Sequence, residues 1–199
     1  ENKPLGMSYN CVVRAEHVDE ELCVRLKRTG CWMVSLGIET GDQDLMESHN
    51  RHVSLDKVAG TIRMMKKAGL RVKGLVMMGL PGETPETIRR TQEYVFSLPV
   101  DEFNLAKFTP FPGAPLYRHI RELGEFDERW EKMDCMNFVF VPKGMTKDQL
   151  QTLFTQFYRA HYMRPKVLWD YFTMTWRSPH SWGRFARNLP AFMAFARSG

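Results

Sequence analysis

The sequence predicts an α/β protein on a parallel sheet, either a doubly wound sheet or part of a (β/α) barrel. Three observations carry this. Strand-like and helix-like patterns alternate over the first hundred residues. Each strand run is separated from the next by enough chain to hold a helix, which is how βαβ units read. The third run, Val72 to Met78, is nearly all apolar, as a strand buried inside a parallel sheet should be.

Each element has a local reason. Tyr9 to Arg14 reads as the first strand. Asp19 caps a helix over Glu20 to Thr29, with Leu22 and Leu26 at helical spacing and Gly30 past its end. Trp32 to Glu39 is the second strand. Ser54 caps a helix through Ala68 that carries Val58, Ile62 and Met65 on one face and stops at Gly69. After the third strand, Thr84 and Pro85 open a helix that ends near Ser97, before Leu98-Pro99. Glu102 to Thr109 is the fourth strand and runs into Pro110-Phe111-Pro112-Gly113. Then come a short helix, Leu116 to Leu123, and an irregular stretch, Phe126 to Pro142. A capping box of Thr146 and Gln149 starts a helix through about His161, and Arg164-Pro165 starts another. Residues 1–117 thus read as the α/β domain and residues 118–199 as a mostly helical C-terminal extension.

Composition bounds the function. Of the 199 residues 43% are hydrophobic and 12% aromatic, which excludes disordered and collagen-like classes. No apolar run approaches the ~18 residues of a membrane span. Cys11, Cys23, Cys31 and Cys135 form no CxxC or CxxxCxxC, so the sequence offers neither a zinc knuckle nor a complete iron–sulfur loop. From Arg159 onward seven basic residues face one acid, Asp170. The tail therefore carries +6 of the net +5, and the preceding body carries −1. Such asymmetry concerns partners rather than fold.

In parallel α/β folds function gathers at the carboxyl ends of strands. Arg14 ends the first strand and Glu39-Thr40-Gly41 the second. Gly79-Leu80-Pro81-Gly82-Glu83 ends the third and Thr109 to Gly113 the fourth. Ser35, Gly37 and Glu39 share one face of the second strand, too small and polar to pack on helices. That face suits a ligand, with Glu39 accepting from hydroxyls or an amine; the structural alternative is a buried ion pair of Glu39 with Arg14. Neither GxGxxG nor GxxxxGK[ST] occurs, which weighs against nucleotide-binding sheets. His49 and His52 flank Arg51 without a third ligand in view, and Phe108, Phe111 and Tyr117 are candidates for a substrate wall.

Five motifs follow one another in order: Gly30-Cys31, Ser35-Leu36-Gly37-Ile38-Glu39-Thr40-Gly41, Asn50-Arg51, Ala68-Gly69-Leu70 and Gly79-Leu80-Pro81-Gly82-Glu83-Thr84. As a set they resemble the second half of a radical SAM domain. They are most similar to the branch with a cobalamin-binding domain ahead of the barrel, which includes anaerobic magnesium-protoporphyrin ester cyclases and hopanoid-associated enzymes. Phe108-Thr109-Pro110-Phe111-Pro112-Gly113-Ala114-Pro115-Leu116-Tyr117 is similar to that branch's sixth-strand ending, so the resemblance covers about residues 9–117. It implies that the four strands are strands 3–6 of a six-stranded partial barrel. It also implies S-adenosyl-L-methionine (SAM) and a [4Fe-4S] cluster as cofactors, with cobalamin through the branch. The implied chemistry is methyl transfer or oxidative cyclisation on a hydrophobic small molecule.

Residue by residue, Glu39 matches the acceptor of the SAM ribose hydroxyls, and Arg51 a cation for the methionyl carboxylate. Met77 matches an apolar residue against the adenine, and Arg14 stands at the mouth of its strand near SAM or substrate. The cluster loop and the SAM-amine motif are absent. The chain is therefore expected to be the C-terminal part of a longer cytoplasmic enzyme, inactive alone and partnered by its N-terminal half. Two other classes compete with this one. One is a different α/β enzyme with Glu39 as general base. The other is a binding module acting through its basic aromatic tail, Trp169 to Arg197. That tail suits an anionic membrane surface better than nucleic acid, because Leu189 to Phe195 is apolar and the arginines are too few for a phosphate track.

Overall fold

A computed structural model describes residues 6–165, 167–169, 182–183, 186–190 and 193. The chain falls into two compact units, Glu1–Leu153 and Phe154–Gly199. The first is built on a parallel sheet of β1 (Tyr9–Val13), β2 (Cys31–Glu39), β3 (Arg71–Met78) and β4 (Glu102–Lys107), in that spatial order. Every crossover moves one strand along. A doubly wound sheet would reverse at a switch point, so this order is that of a barrel wall.

Local chemistry sets the helices between the strands. The Asp19 carboxylate accepts from Leu22 N at 2.7 Å and starts α1 (Glu20–Arg28). Asp42 accepts from Leu45 N at 2.9 Å and starts α2 (Gln43–Ser48), a helix too short to show a periodic pattern in sequence. Ser54 caps α3 (Leu55–Lys67). Thr84 and Thr87 cap each other's amides at the start of α4 (Pro85–Ser97), where Pro85 costs no hydrogen bond. The fourth strand stops at Lys107, short of the expected Thr109, because its partner β3 ends at Met78, opposite Lys107, and the chain turns away at Gly79 with φ 90°.

The expected helix over 116–123 is a 3-10 helix, Pro115–His119, followed by the single turn α5 (Ile120–Leu123). The stretch expected to be irregular contains β5 (Gly124–Phe126) paired antiparallel with β6 (Phe140–Pro142). This pairing spans a long intervening loop, so no local turn signal announces it. The capping box at Thr146 and Gln149 is reciprocal and opens α6 (Lys147–Tyr162).

The core lies on one face of the sheet. Val34, Leu36 and Ile38 of β2 and Val72, Val76 and Met78 of β3 are buried there, as are Val58, Ile62 and Met65 of α3. Each such side chain contributes about 1.5–3 kcal/mol of hydrophobic stabilisation. On the other face Ser35, Lys73, Leu75, Met77 and Ala106 are only half-buried, and Val12 is exposed. One face is therefore closed by helices and the other open. No helix among the described residues is long and apolar enough to cross a membrane. The tail expectation, Trp169 to Arg197, lies mostly outside the described residues, which include only 169, 182–183, 186–190 and 193 of it.

Candidate functional site

The site begins where β2 breaks its own register. Gly37 pairs with Leu75 and Glu39 with Val76, so Ile38 is an extra residue, and Glu39 takes a left-handed φ of 64°. A non-glycine residue rarely adopts that conformation without a reason. Here it folds the Glu39 carboxylate back over Gly37: a methyl group at Gly37 would stand 2.6 Å from Glu39 Oε1. The glycine is a cradle for the carboxylate.

Arg51 reaches the same place from the loop after α2. Its Nη2 donates to Gly37 O at 3.4 Å and lies 3.9 Å from Glu39 Oε1, an ion pair beyond hydrogen-bond range. Both side chains are mostly buried, at 19% and 23% exposure, and Arg51 Nε is buried without a hydrogen-bond partner. A buried donor left unpaired is costly, so it marks a place where a ligand acceptor fits.

Arg14 does not pair with Glu39. Its Nη2 bonds Glu16 Oε1 at 3.0 Å, in the 3-10 turn Ala15–His17 that follows β1. Glu16 Oε2 is buried and unpaired. Sequence reasoning passed over Glu16, although its position two residues past Arg14, at the end of a parallel strand, was a signal. The four charges act on one another. Burial pushes the Glu39 carboxyl up, Arg51 and Arg14 oppose this, and Glu16 adds to it. Burial also raises Glu16, but its own amide, the Arg14 hydrogen bond and Arg51 leave it below the usual carboxylate range. The structure thus brings Arg14, Glu39 and Arg51 together and adds Glu16. Met77 stands one residue beyond Val76, the partner of Glu39, half-buried on the open face.

The remaining candidates serve the frame. His49 Nε2 bonds Pro81 O at 2.9 Å, and among the described residues no three His, Cys, Asp or Glu converge as a metal site. The turn 79–82 is closed from within by Glu83, whose carboxylate accepts from Gly79 N and Leu80 N. Phe108 packs edge-on against Phe140, and Tyr117 against Phe126, while Phe111 is exposed. Cys11 Sγ and Cys31 Sγ approach to 3.9 Å, and burial together with Cys31 pushes the Cys11 thiol up to about 11. Two thiols without a third do not make an iron–sulfur ligand set.

The model of the radical SAM superfamily matches residues 2–95. An uncharacterized methyltransferase of Pyrococcus horikoshii is 27% identical over 82% of this chain and 36% of its own length. The anaerobic magnesium-protoporphyrin IX monomethyl ester cyclase of Cereibacter sphaeroides is 28% identical over 91% of this chain and 28% of its own. The chain therefore spans about a third of the length of the curated relatives it matches. Coproporphyrinogen III oxidase from Escherichia coli, a solved radical SAM enzyme, shares the fold over 75% of this chain and 31% of its own, with a TM-score of 0.58 at 15% identity.

Proposed function

Because residues 2–95 match the radical SAM superfamily model, we propose that this chain forms strands 3–6 of the barrel wall and contributes the ribose and carboxylate contacts to SAM. The observation that carries this reading is the Glu39–Arg51 pair over Gly37, with Arg51 Nε buried and unpaired at the carboxyl end of β2. Glu39 accepts from the two ribose hydroxyls, a charge-assisted arrangement that its mostly buried carboxylate makes strong. Arg51 donates through Nε and Nη2 to the methionyl carboxylate. Met77 lies against the adenine, and Arg14 guards the mouth of the strand. When bound, SAM supplies the methyl or adenosyl group of the family's reactions.

The described residues fit SAM but not the cluster. Cys11 and Cys31 lack a third thiolate, so the cluster loop and any cobalamin domain must come from a segment other than this one. The reaction is methyl transfer or oxidative cyclisation on a hydrophobic small molecule, in keeping with the relatives' names. In this reading residues 1–117 are the barrel part and 118–199 the extension.

Calorimetric titration of SAM tests it. Glu39→Ala should lose ~1.5–3 kcal/mol of binding, about ten- to a hundredfold in affinity, and Glu39→Gln less, since it keeps an acceptor. Unchanged SAM affinity in Glu39→Ala together with a lower melting temperature would return Glu39 to a purely structural ion pair.

A further inference from the structure

Arg51 reaches Glu39 from a loop rather than from a strand, and a loop needs anchors of its own. One anchor is α2. Asn50 N donates to Glu47 O at 2.9 Å and Arg51 N to Met46 O at 3.0 Å, with Asn50 in the left-handed turn that closes the helix. These bonds fix the loop to α2, but a helix of six residues does not hold itself in place. Its far end must be tied to something rigid.

The turn after β3 supplies that tie. His49, the residue that ends α2, places Nε2 at 2.9 Å from Pro81 O. A carbonyl can only accept, so in this bond the ring carries its proton on Nε2. Leu45 of α2 meets the same turn: a methyl group on Gly82 would stand 3.6 Å from Leu45 Cδ1. The turn is firm, because Glu83 accepts from Gly79 N and Leu80 N, and Glu83 N donates to Leu80 O at 2.9 Å. Each link from β3 to Arg51 is therefore a direct contact. Its end is the Arg51 guanidinium, 3.4 Å from Gly37 O and 3.9 Å from Glu39 Oε1.

We propose that His49 is a positioning residue for Arg51: by donating Nε2–H to Pro81 O it locks the end of α2 to the turn after β3. This lock holds the guanidinium, two residues on, over Gly37 and Glu39. The lock is a property of the folded chain. Its consequence for ligand affinity rests on the SAM reading above.

Two measurements on the full 199-residue chain separate the lock from its consequence. The first is hydrogen exchange of the buried Arg51 Nε–H by proton NMR, with no ligand present. His49→Phe keeps a ring and removes the donor, and should speed this exchange about tenfold or more. His49→Gln keeps a donor and should recover much of the protection. Val58→Ala, a truncation in the core of α3, should lower the melting temperature and leave the Arg51 exchange near wild type. The second measurement is calorimetric titration with S-adenosylhomocysteine, which carries the amino-acid head, and 5′-methylthioadenosine, which lacks it. His49→Phe should weaken the first about tenfold and the second by less than about twofold. Wild-type exchange in His49→Phe, or equal acceleration in Val58→Ala, overturns the lock whatever the ligands do. Faster exchange in His49→Phe alone, with neither probe bound by wild type, leaves the lock standing and overturns the SAM reading.

Discussion

Glu83 shows how a single side chain can be committed to the frame. It is 1% exposed and pairs with no cation among the described residues; its partners are the amides of Gly79 and Leu80. Burial pushes its carboxyl up to about 8, and the two amides oppose this only in part. The folded chain therefore holds a proton between its ordinary 4.5 and about 8 that the unfolded chain has shed. Unfolding in that window releases a proton, so stability falls as pH rises through it, by at most roughly 1.4 kcal/mol per pH unit, and levels off above it. Urea denaturation at stepped pH should show this slope in wild type, and Glu83→Gln, which cannot ionise, should lack it. Parallel profiles for the two proteins would show that Glu83 is not the group responsible. The contrast with Glu39 is instructive. Both carboxylates are driven up by burial, but Glu39 has two guanidinium groups facing it and no protein donor within hydrogen-bond range among the described residues. One carboxylate is satisfied by its own turn, and the other meets no protein donor within hydrogen-bond range among the described residues.

At the scale of elements, the end of β2 is held by its docking on α4. Thr40 and Thr91 hydroxyls meet at 3.0 Å, Gly41 N donates to Thr91 Oγ1 at 2.9 Å, and Arg90 pairs with the buried Asp42 at 2.6 Å. Gly41 has no room for a side chain: a methyl group would stand 2.7 Å from Thr91 Cα and 2.7 Å from Tyr94 Cβ. Backbone cannot swing aside as a flexible side chain can. Gly41→Ala should therefore push α4 away from the sheet and cost about 1–3 kcal/mol in chemical denaturation. Because Glu39 lies two residues upstream, the same variant should also weaken SAM binding. A Gly41→Ala protein of wild-type stability would mean that α4 is not seated on this glycine. The short helix α2 plays a matching part. It brings Asn50, in a left-handed turn at φ 56°, and then Arg51 back across the strand end. Twelve residues of sequence separation become one ion pair.

For the whole molecule, the wall of four parallel strands offers polar ligands at its carboxyl ends but gathers no metal-binding cluster among the described residues. Anaerobic reconstitution of this 199-residue chain with iron and sulfide should accordingly give no stoichiometric cluster absorption. A stoichiometric band that disappears in Cys31→Ala would overturn this and make Cys11 and Cys31 part of a ligand set. The sequence by itself determined the alternation of strands and helices, most of the caps, and the identity of Glu39, Arg51, Arg14 and Met77 as candidates. Those signals are local: a cap needs residues three apart, and a buried strand needs only its own apolar run. Tertiary structure alone decided the strand order, the pairing of β5 with β6, the redirection of Arg14 from Glu39 to Glu16, and the place of Glu16 itself. Each of these depends on which distant backbones come within hydrogen-bond or Coulomb range. That is set by register and by a single bulge at Ile38, and neither leaves a periodic trace in the chain.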